Sequence, residues 1–502
     1  MNMKNWLIFF ATATAVFLLA MLAYSIMDRK AEARFAYKPF MPQTEGIEPR
    51  DAVWGDAFPR QYQSYMRTAD TTYRSPFLTS GHRDALADQP ELVILWAGYA
   101  FSKDYNHPKG HAHAVADVHK TLRIGSPMEK GEGVMPSTCW TCKSTDVPRL
   151  MQEIGVTEYY SQKLSDMGSE VINPIGCADC HDANTMKLTI TRPALIEAFQ
   201  AMGKDITKSS HQEMRSLVCA QCHVEYYFNK NLSGKEGAAY LVFPWAQGMD
   251  VEDMEVYFDE IDFYDWINPL SKAKLIKAQH PDYEIYLTGV HAKRGVSCAD
   301  CHMPYKTEGG QKFTDHHIGS PLANVENSCF VCHREKVTEL MADVYERQRK
   351  VKEVTGFLQK QLAITHIEAQ KAWELGATET QMAPILKLIR HAQWRWDYSV
   401  ASHGASFHAP LETVRIAASG TARMQEARLL LARLLVELGH KGPVAMPDLS
   451  SKPALQAYIG LDIPAEREKK AAFLEEVVPR WIQEGKAREE KREATRKSIS
   501  KN

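Results

Sequence analysis

The chain is 502 residues long, with 24% charged and 44% hydrophobic residues, a composition that excludes a disordered chain or a fibre and supplies ample material for a core. Its 60 basic and 62 acidic residues leave a formal charge of -2 and no long basic run in the body, which sets nucleic acid aside as a partner.

The first predicted element is apolar. Trp6 to Met27 is a run of 22 uncharged, mostly apolar residues, preceded by Lys4 and followed by Asp28, Arg29 and Lys30. As a helix it would span roughly 33 Å, enough to cross a hydrocarbon core of about 30 Å. The A-E-A at Ala31 to Ala33 offers a cleavage site beyond those charges, so a removed export signal and a retained membrane anchor are both open. Either one exports the remainder, which is expected in the periplasm, held at the cytoplasmic membrane if the helix is kept.

Few regular patterns follow until Ser137. The ten cysteines then fall in five pairs with two residues between partners. Cys139 and Cys142 lead into Lys143, Cys177 and Cys180 into His181, and Cys219 and Cys222 into His223; Cys298 and Cys301 lead into His302, and Cys329 and Cys332 into His333. Ten cysteines in an exported chain first suggest disulfides. C-x-x-C-H, however, is the attachment signature of c-type haem, in which both thiols form thioethers with the vinyl groups and the histidine reaches the iron. Zinc sites also use C-x-x-C pairs, but nothing in zinc chemistry requires a histidine directly after the second cysteine. Five covalent haems are therefore expected.

Lys143 breaks the pattern. An amine binds iron only when neutral, whereas a free lysine side chain keeps its proton to about pH 10.4, so such a ligand needs desolvation and a metal that displaces the proton. The gaps between motifs are too irregular for a solenoid, which fits a body whose core is largely porphyrin.

After His333 the pattern turns helical. Ala427, Leu430, Leu431, Leu434, Leu435 and Leu438 recur on one face, with Gly439 as a stop. Further helices are expected over 335–375, over 379–400, and from Pro464 towards Glu484, with Gly485 ending the last. The tail from Lys486 reads as a solvated helix end or a disordered segment. The expected fold class is mainly α: an export or anchor segment over 1–30, a haem-binding body with little β structure over 31–333, and long helices over 334–502.

C-W-T-C-K followed by four C-x-x-C-H motifs resembles the pentahaem, ammonia-forming cytochrome c nitrite reductases, and the likeness runs from about His111 to about Pro410. The resemblance implies that the lysine-ligated haem is the catalytic one, with Arg123, Tyr226 and His280 lining its open face, and that nitrite is reduced to ammonium by six electrons. It implies one calcium ion held by Glu225, the backbone oxygens of Tyr226 and Lys277, and Gln279, an all-oxygen set suited to that hard cation. It assigns the second histidines as His111 for the Cys219 haem, His291 for the Cys329 haem, His317 for the Cys177 haem and His408 for the Cys298 haem. His113, His316 and His403 are close rivals to three of these. It further implies a homodimer through the C-terminal helices and an electron donor that is a membrane quinol-oxidising cytochrome or a soluble multihaem carrier. The alternatives are a pure electron-transfer cytochrome, with a sixth ligand on every iron, and a related enzyme acting on hydroxylamine or sulfite.

Overall fold

A computed structural model describes residues 2–34, 46–232 and 238–499. Helix makes up 59% of it and strand 6%, the mainly α architecture expected of the sequence. Among the described residues strand forms three antiparallel pairs, β1 (Tyr227–Asn229) with β2 (Tyr240–Val242), β3 (Trp266–Ile267) with β4 (Lys274–Leu275), and β5 (Tyr305–Glu308) with β6 (Gln311–Thr314), besides isolated bridges.

Helix α1 (Met3–Arg34) contains the apolar run, and the 26 residues from Met3 to Asp28 are long and apolar enough to cross a membrane, with none of that stretch buried. Ala31 to Ala33 lie in its last turn.

Three long helices form the C-terminal bundle: α2 (Val337–Glu374), α3 (Glu379–Ala401) and α4 (Pro410–Glu437). Local chemistry sets their ends. Gly376, at φ +91°, closes α2 in a left-handed turn that a side chain would strain. Thr378 and Gln381 form a capping box that starts α3. Pro410 occupies the first turn of α4, and Gly439 stops it as expected. Of the predicted stripe, Ala427, Leu431, Leu434 and Leu435 are buried, and Leu430 and Leu438 pack at its margin. The bundle closes most tightly at Gly420, where a Cβ would lie 2.8 Å from a Leu358 methyl of α2 and 3.2 Å from the Ala392 carbonyl of α3.

The last helical run departs from expectation. Helix α5 (Ile463–Ala472) passes through a π turn (Phe473–Val477) into α6 (Val478–Ile499), so Gly485 lies inside a helix and stops nothing. Its lack of a side chain serves packing: a Cβ would meet Ile172 at 2.6 Å and the Ser169 carbonyl at 2.9 Å. The tail is also docked. Glu489 accepts from Asn173 at 2.6 Å, Arg488 donates to the Ser169 carbonyl at 2.6 Å, and Glu493 pairs with Arg50 at 2.8 Å. Residues 500–502 lie outside the described residues. In an exposed helix Gly485→Ala would stabilise by about 1 kcal/mol; here overpacking against Ile172 and Ser169 is expected to reverse the sign and cost about 1–3 kcal/mol. A guanidinium unfolding midpoint equal to or above that of the parent would contradict the close approach.

Candidate functional site

Each cysteine pair lies on a turn of helix. Cys177–Cys180 and Cys298–His302 are short helices, Cys219 ends the helix His211–Ala220, Cys139 lies in the 3-10 turn Ser137–Trp140, and Cys329 follows Val325–Ser328. Residues three apart on such a turn share a face, so both thiols of a pair aim the same way. No disulfide joins any of the ten cysteines, and nine of them line a single cavity of about 2680 Å³. That is several times the roughly 300–1,000 Å³ of a small-molecule site. Adjacent motifs touch: Cys142 is a hydrogen-bond neighbour of Cys222, and Cys219 of Cys298. The same cavity is walled by Lys143, His181, His223, His302, His333 and the candidate second histidines.

The histidines pair across this cavity. Ring centroids are 6.3 Å apart for His181 and His316, 6.4 Å for His291 and His333, and 6.2 Å for His302 and His408. A metal bonded at roughly 2 Å to one nitrogen of each ring would hold two imidazoles about this far apart. The other nitrogen of several rings is already engaged: His181 Nδ1 with the Met186 carbonyl at 3.1 Å, His302 Nδ1 with the Gly319 carbonyl at 2.8 Å and His316 Nδ1 with the Thr314 carbonyl at 2.8 Å. Bonding at Nδ1 fixes the tautomer and leaves Nε2 as the ligating atom. Burial pushes His111, His316 and His408 down to about 4, which keeps each imidazole neutral, the form that binds a metal.

Both His316 and His317 line the cavity; the His316 ring faces His181, its backbone N–H on Ser64 Oγ at 2.9 Å, while the His317 N–H is on Asp315 at 3.0 Å. His113 is engaged with the Ala69 carbonyl at 3.0 Å, whereas His111 lines the cavity together with His223. His223 also has His280 at 6.4 Å. Its Nδ1, however, bonds Asp282 at 3.2 Å, which places the 280–282 segment on that side of the ring and leaves Nε2 free on the other. Asp282 carried no sequence signal beyond standing two residues after His280.

Around the lysine motif three side chains from distant parts of the chain converge. Arg123 lies in electrostatic reach of Cys139, Tyr226 of Cys142 and Cys139, and His280 of Lys143. The Arg123 guanidinium rests 4.7 Å over the Phe101 ring, and its Nη1 is buried, with no hydrogen-bond partner among the described residues, in a side chain on the cavity wall. Tyr226 stacks on Phe228 at 5.8 Å, and burial raises its phenol well above the ordinary range. Burial, reinforced by Lys143, depresses His280 well below the ordinary imidazole range, so it is neutral. The backbone of the motif is pinned from behind by Arg192, which sequence reasoning did not single out: it donates to the carbonyls of Thr141 and Ser144, each at 2.9 Å, and pairs with Asp179 at 2.5 Å.

The candidate calcium ligands also come together. Glu225 is fully buried; its Oε2 accepts the Gln279 N–H at 2.6 Å, and its Oε1 has no partner among the described residues. Gln279 reaches the Lys277 carbonyl at 2.9 Å, and the Lys277 ammonium is held aside by Asp397 at 2.6 Å. Glu284, invisible to sequence reasoning, buttresses the cluster by accepting the Glu225 N–H and Trp245 Nε1, each at 2.9 Å, with its own carboxyl pushed up to about 8 by burial. A buried carboxyl oxygen without a partner among the described residues, on a side chain that binds Gln279, suits a hard cation, whose charge would offset the burial that raises the Glu225 carboxyl well above the ordinary range.

Known proteins resemble this chain over most of its length. Cytochrome c-552 of Bacteroides fragilis (strain YCH46) is 53% identical over 484 residues, 96% of this chain and 97% of the relative. Cytochrome c-552 of Porphyromonas gingivalis (strain ATCC BAA-308 / W83) is 54% identical over 486 residues, 97% and 96% of the two chains. Among solved structures, the catalytic subunit of cytochrome c nitrite reductase from Desulfovibrio desulfuricans ATCC 27774, a structure with two calcium sites, superposes with a TM-score of 0.71 at 30% identity over 83% of this chain and 90% of that one. The sequence profile of the cytochrome c552 family spans residues 51–492, and with thiol pairs and imidazoles converging on one cavity the chain belongs to that family of covalent haem c proteins.

Proposed function

We propose that this chain is an ammonia-forming nitrite reductase with five covalent haems, the catalytic one held by Cys139, Cys142 and Lys143. Arg123 and His280 line the cavity together with Lys143, and Tyr226 packs with Cys139 against one core cluster; this placement about the lysine-bearing motif is the observation that carries the reading. The remaining haems are assigned to Cys177, Cys180 and His181 with His316 in place of His317; to Cys219, Cys222 and His223 with His111; to Cys298, Cys301 and His302 with His408; and to Cys329, Cys332 and His333 with His291. Glu225, the backbone oxygens of Tyr226 and Lys277, and Gln279 hold one calcium ion. When bound, the haems held by the four histidine motifs would relay electrons, and the haem held by Cys139, Cys142 and Lys143 would supply the iron that binds a small anion.

The side chains divide the remaining work. Arg123 holds the anion by charge-assisted hydrogen bonds from its free Nη1. His280 donates a hydrogen bond and then a proton as the bond between nitrogen and oxygen lengthens. Tyr226, buried and stacked, orders the pocket. The protein acts in the periplasm, led there by α1, which is either removed or kept as an anchor. It draws electrons from a membrane quinol-oxidising cytochrome or a soluble multihaem carrier. It forms a homodimer through the long helices, a reading supported by Phe357, Leu411, Leu429 and Val436, large apolar side chains left exposed on α2 and α4. The test is ammonium yield from nitrite with a reduced dye as donor. Stoichiometric ammonium is expected, and none from a haem-replete preparation would end the reading.

A further inference from the structure

The turn that carries Arg123 is fixed at four main-chain points by two buried side chains of opposite charge. Asp104 is 8% exposed, and its carboxylate accepts the N–H of Leu122 at 2.8 Å and the N–H of Arg123 at 3.2 Å. Lys470 is 4% exposed, and its ammonium donates to the His119 carbonyl at 3.2 Å and to the Gly125 carbonyl. His119 precedes the 3-10 turn Leu122–Ile124 and Gly125 follows it, so Lys470 ties both ends while Asp104 holds the middle. Lys470 stands on α5, 345 residues from Gly125, and its other near neighbour is the Phe473 ring at 4.6 Å.

Packing alone does not call for this. A methionine would fill the same volume between α5 and the turn without the desolvation cost of a buried ammonium, which is several kcal/mol in general. The neighbouring grip points the same way: Glu466, also on α5, pairs with Lys103 at 3.0 Å, and Gln456 donates to the carbonyls of Ser102 and Lys103, each at 3.0 Å. These bonds fix the strand of chain that supplies Asp104 and the Phe101 ring under the guanidinium. What the buried charges determine is where the Arg123 backbone stands, and so where its unpartnered Nη1 points.

We propose that Lys470, together with Asp104, is a positioning residue for Arg123, so that the C-terminal helical region sets how tightly the site holds an anionic substrate. The proposal rests on the nitrite reading and on the role given there to Arg123. It is tested with haem-replete Lys470→Met and Lys470→Arg, assayed with a reduced dye on nitrite and on hydroxylamine, which is uncharged at neutral pH. Lys470→Met is expected to raise KM for nitrite about tenfold, the worth of one charge-assisted hydrogen bond. Its kcat and its KM for hydroxylamine should stay within about twofold, the pattern of lost anion binding and not of lost chemistry. Lys470→Arg should recover most of the nitrite KM. An unchanged nitrite KM, or an equal rise for both substrates, would overturn the proposal. Should Lys470→Met fail to accumulate, Asp104→Ala carries the same expectation and the same refutation. A wild-type enzyme that reduces no nitrite would remove the parent reading itself, a result distinct from either.

Discussion

Replacing His280 by asparagine is expected to lower nitrite turnover by about 10²–10⁴-fold, the usual contribution of a positioned acid or base, while all five motifs still carry haem. Asparagine keeps a hydrogen-bond donor of similar reach and removes the proton that can be given up, so the variant separates holding the substrate from protonating it. The structure makes this a fair test. His280 is flanked by His223 and His403, with ring centroids at 6.4 and 6.2 Å, and the turn that carries it is set by Asp282, which bonds His223 Nδ1 and accepts from Ser402 Oγ at 2.5 Å. Neither of the Asp282 bonds needs the imidazole of His280 itself. Burial keeps that imidazole neutral near pH 7, so its N–H is present as a donor before a proton is transferred. Steady-state kcat with normal haem content is the measurement, and turnover close to wild type would take His280 out of the chemistry.

The parts of this protein that sequence makes legible are those whose cause is local. A thiol pair and the residue after it sit on one helical turn, so C-x-x-C-H is readable wherever it falls. The buried stripe of α4 is likewise a property of the helix alone. Where a distant contact decides, the sequence is silent or misleads. His316 and His317 are adjacent, chemically identical and both on the cavity wall, and the one whose ring faces His181 has its backbone N–H on Ser64, 252 residues earlier. Gly485 follows a helical pattern as a stop would, yet the Ser169 carbonyl and Ile172 explain it by close approach. Arg192, Glu284, Asp104 and Lys470 stand in unremarkable contexts and gain meaning only from the carbonyls, N–H groups and carboxylates that the fold brings to them. Arg123, Tyr226 and His280 were reached through family likeness; nothing in their spacing leads from one to another.

Lys143→His is expected to leave the thioether attachment intact and to reduce nitrite turnover by at least the 10–100-fold that is typical when even an outer partner of a metal site is lost. Attachment depends on Cys139 and Cys142, and the backbone of their turn is held independently by Arg192 and by the bond from the Lys143 N–H to the Trp140 carbonyl at 2.9 Å. What changes is the donor atom. A lysine amine reaches from four flexible methylenes and binds only after losing its proton, whereas an imidazole sits closer to the backbone, is planar, and is neutral at ordinary pH without help. With the turn fixed, the ring cannot occupy the position of the amine, so coordination must shift, and the poise of the catalytic haem shifts with it. On the proposed ligation the lysine-held haem is expected to give a high-spin ferric component, which should change in the variant while the signals of the other four haems stay as they were. If the high-spin component were identical in wild type and Lys143→His, the lysine would not be a ligand, and the distinction between one open iron and four closed ones would lose its basis.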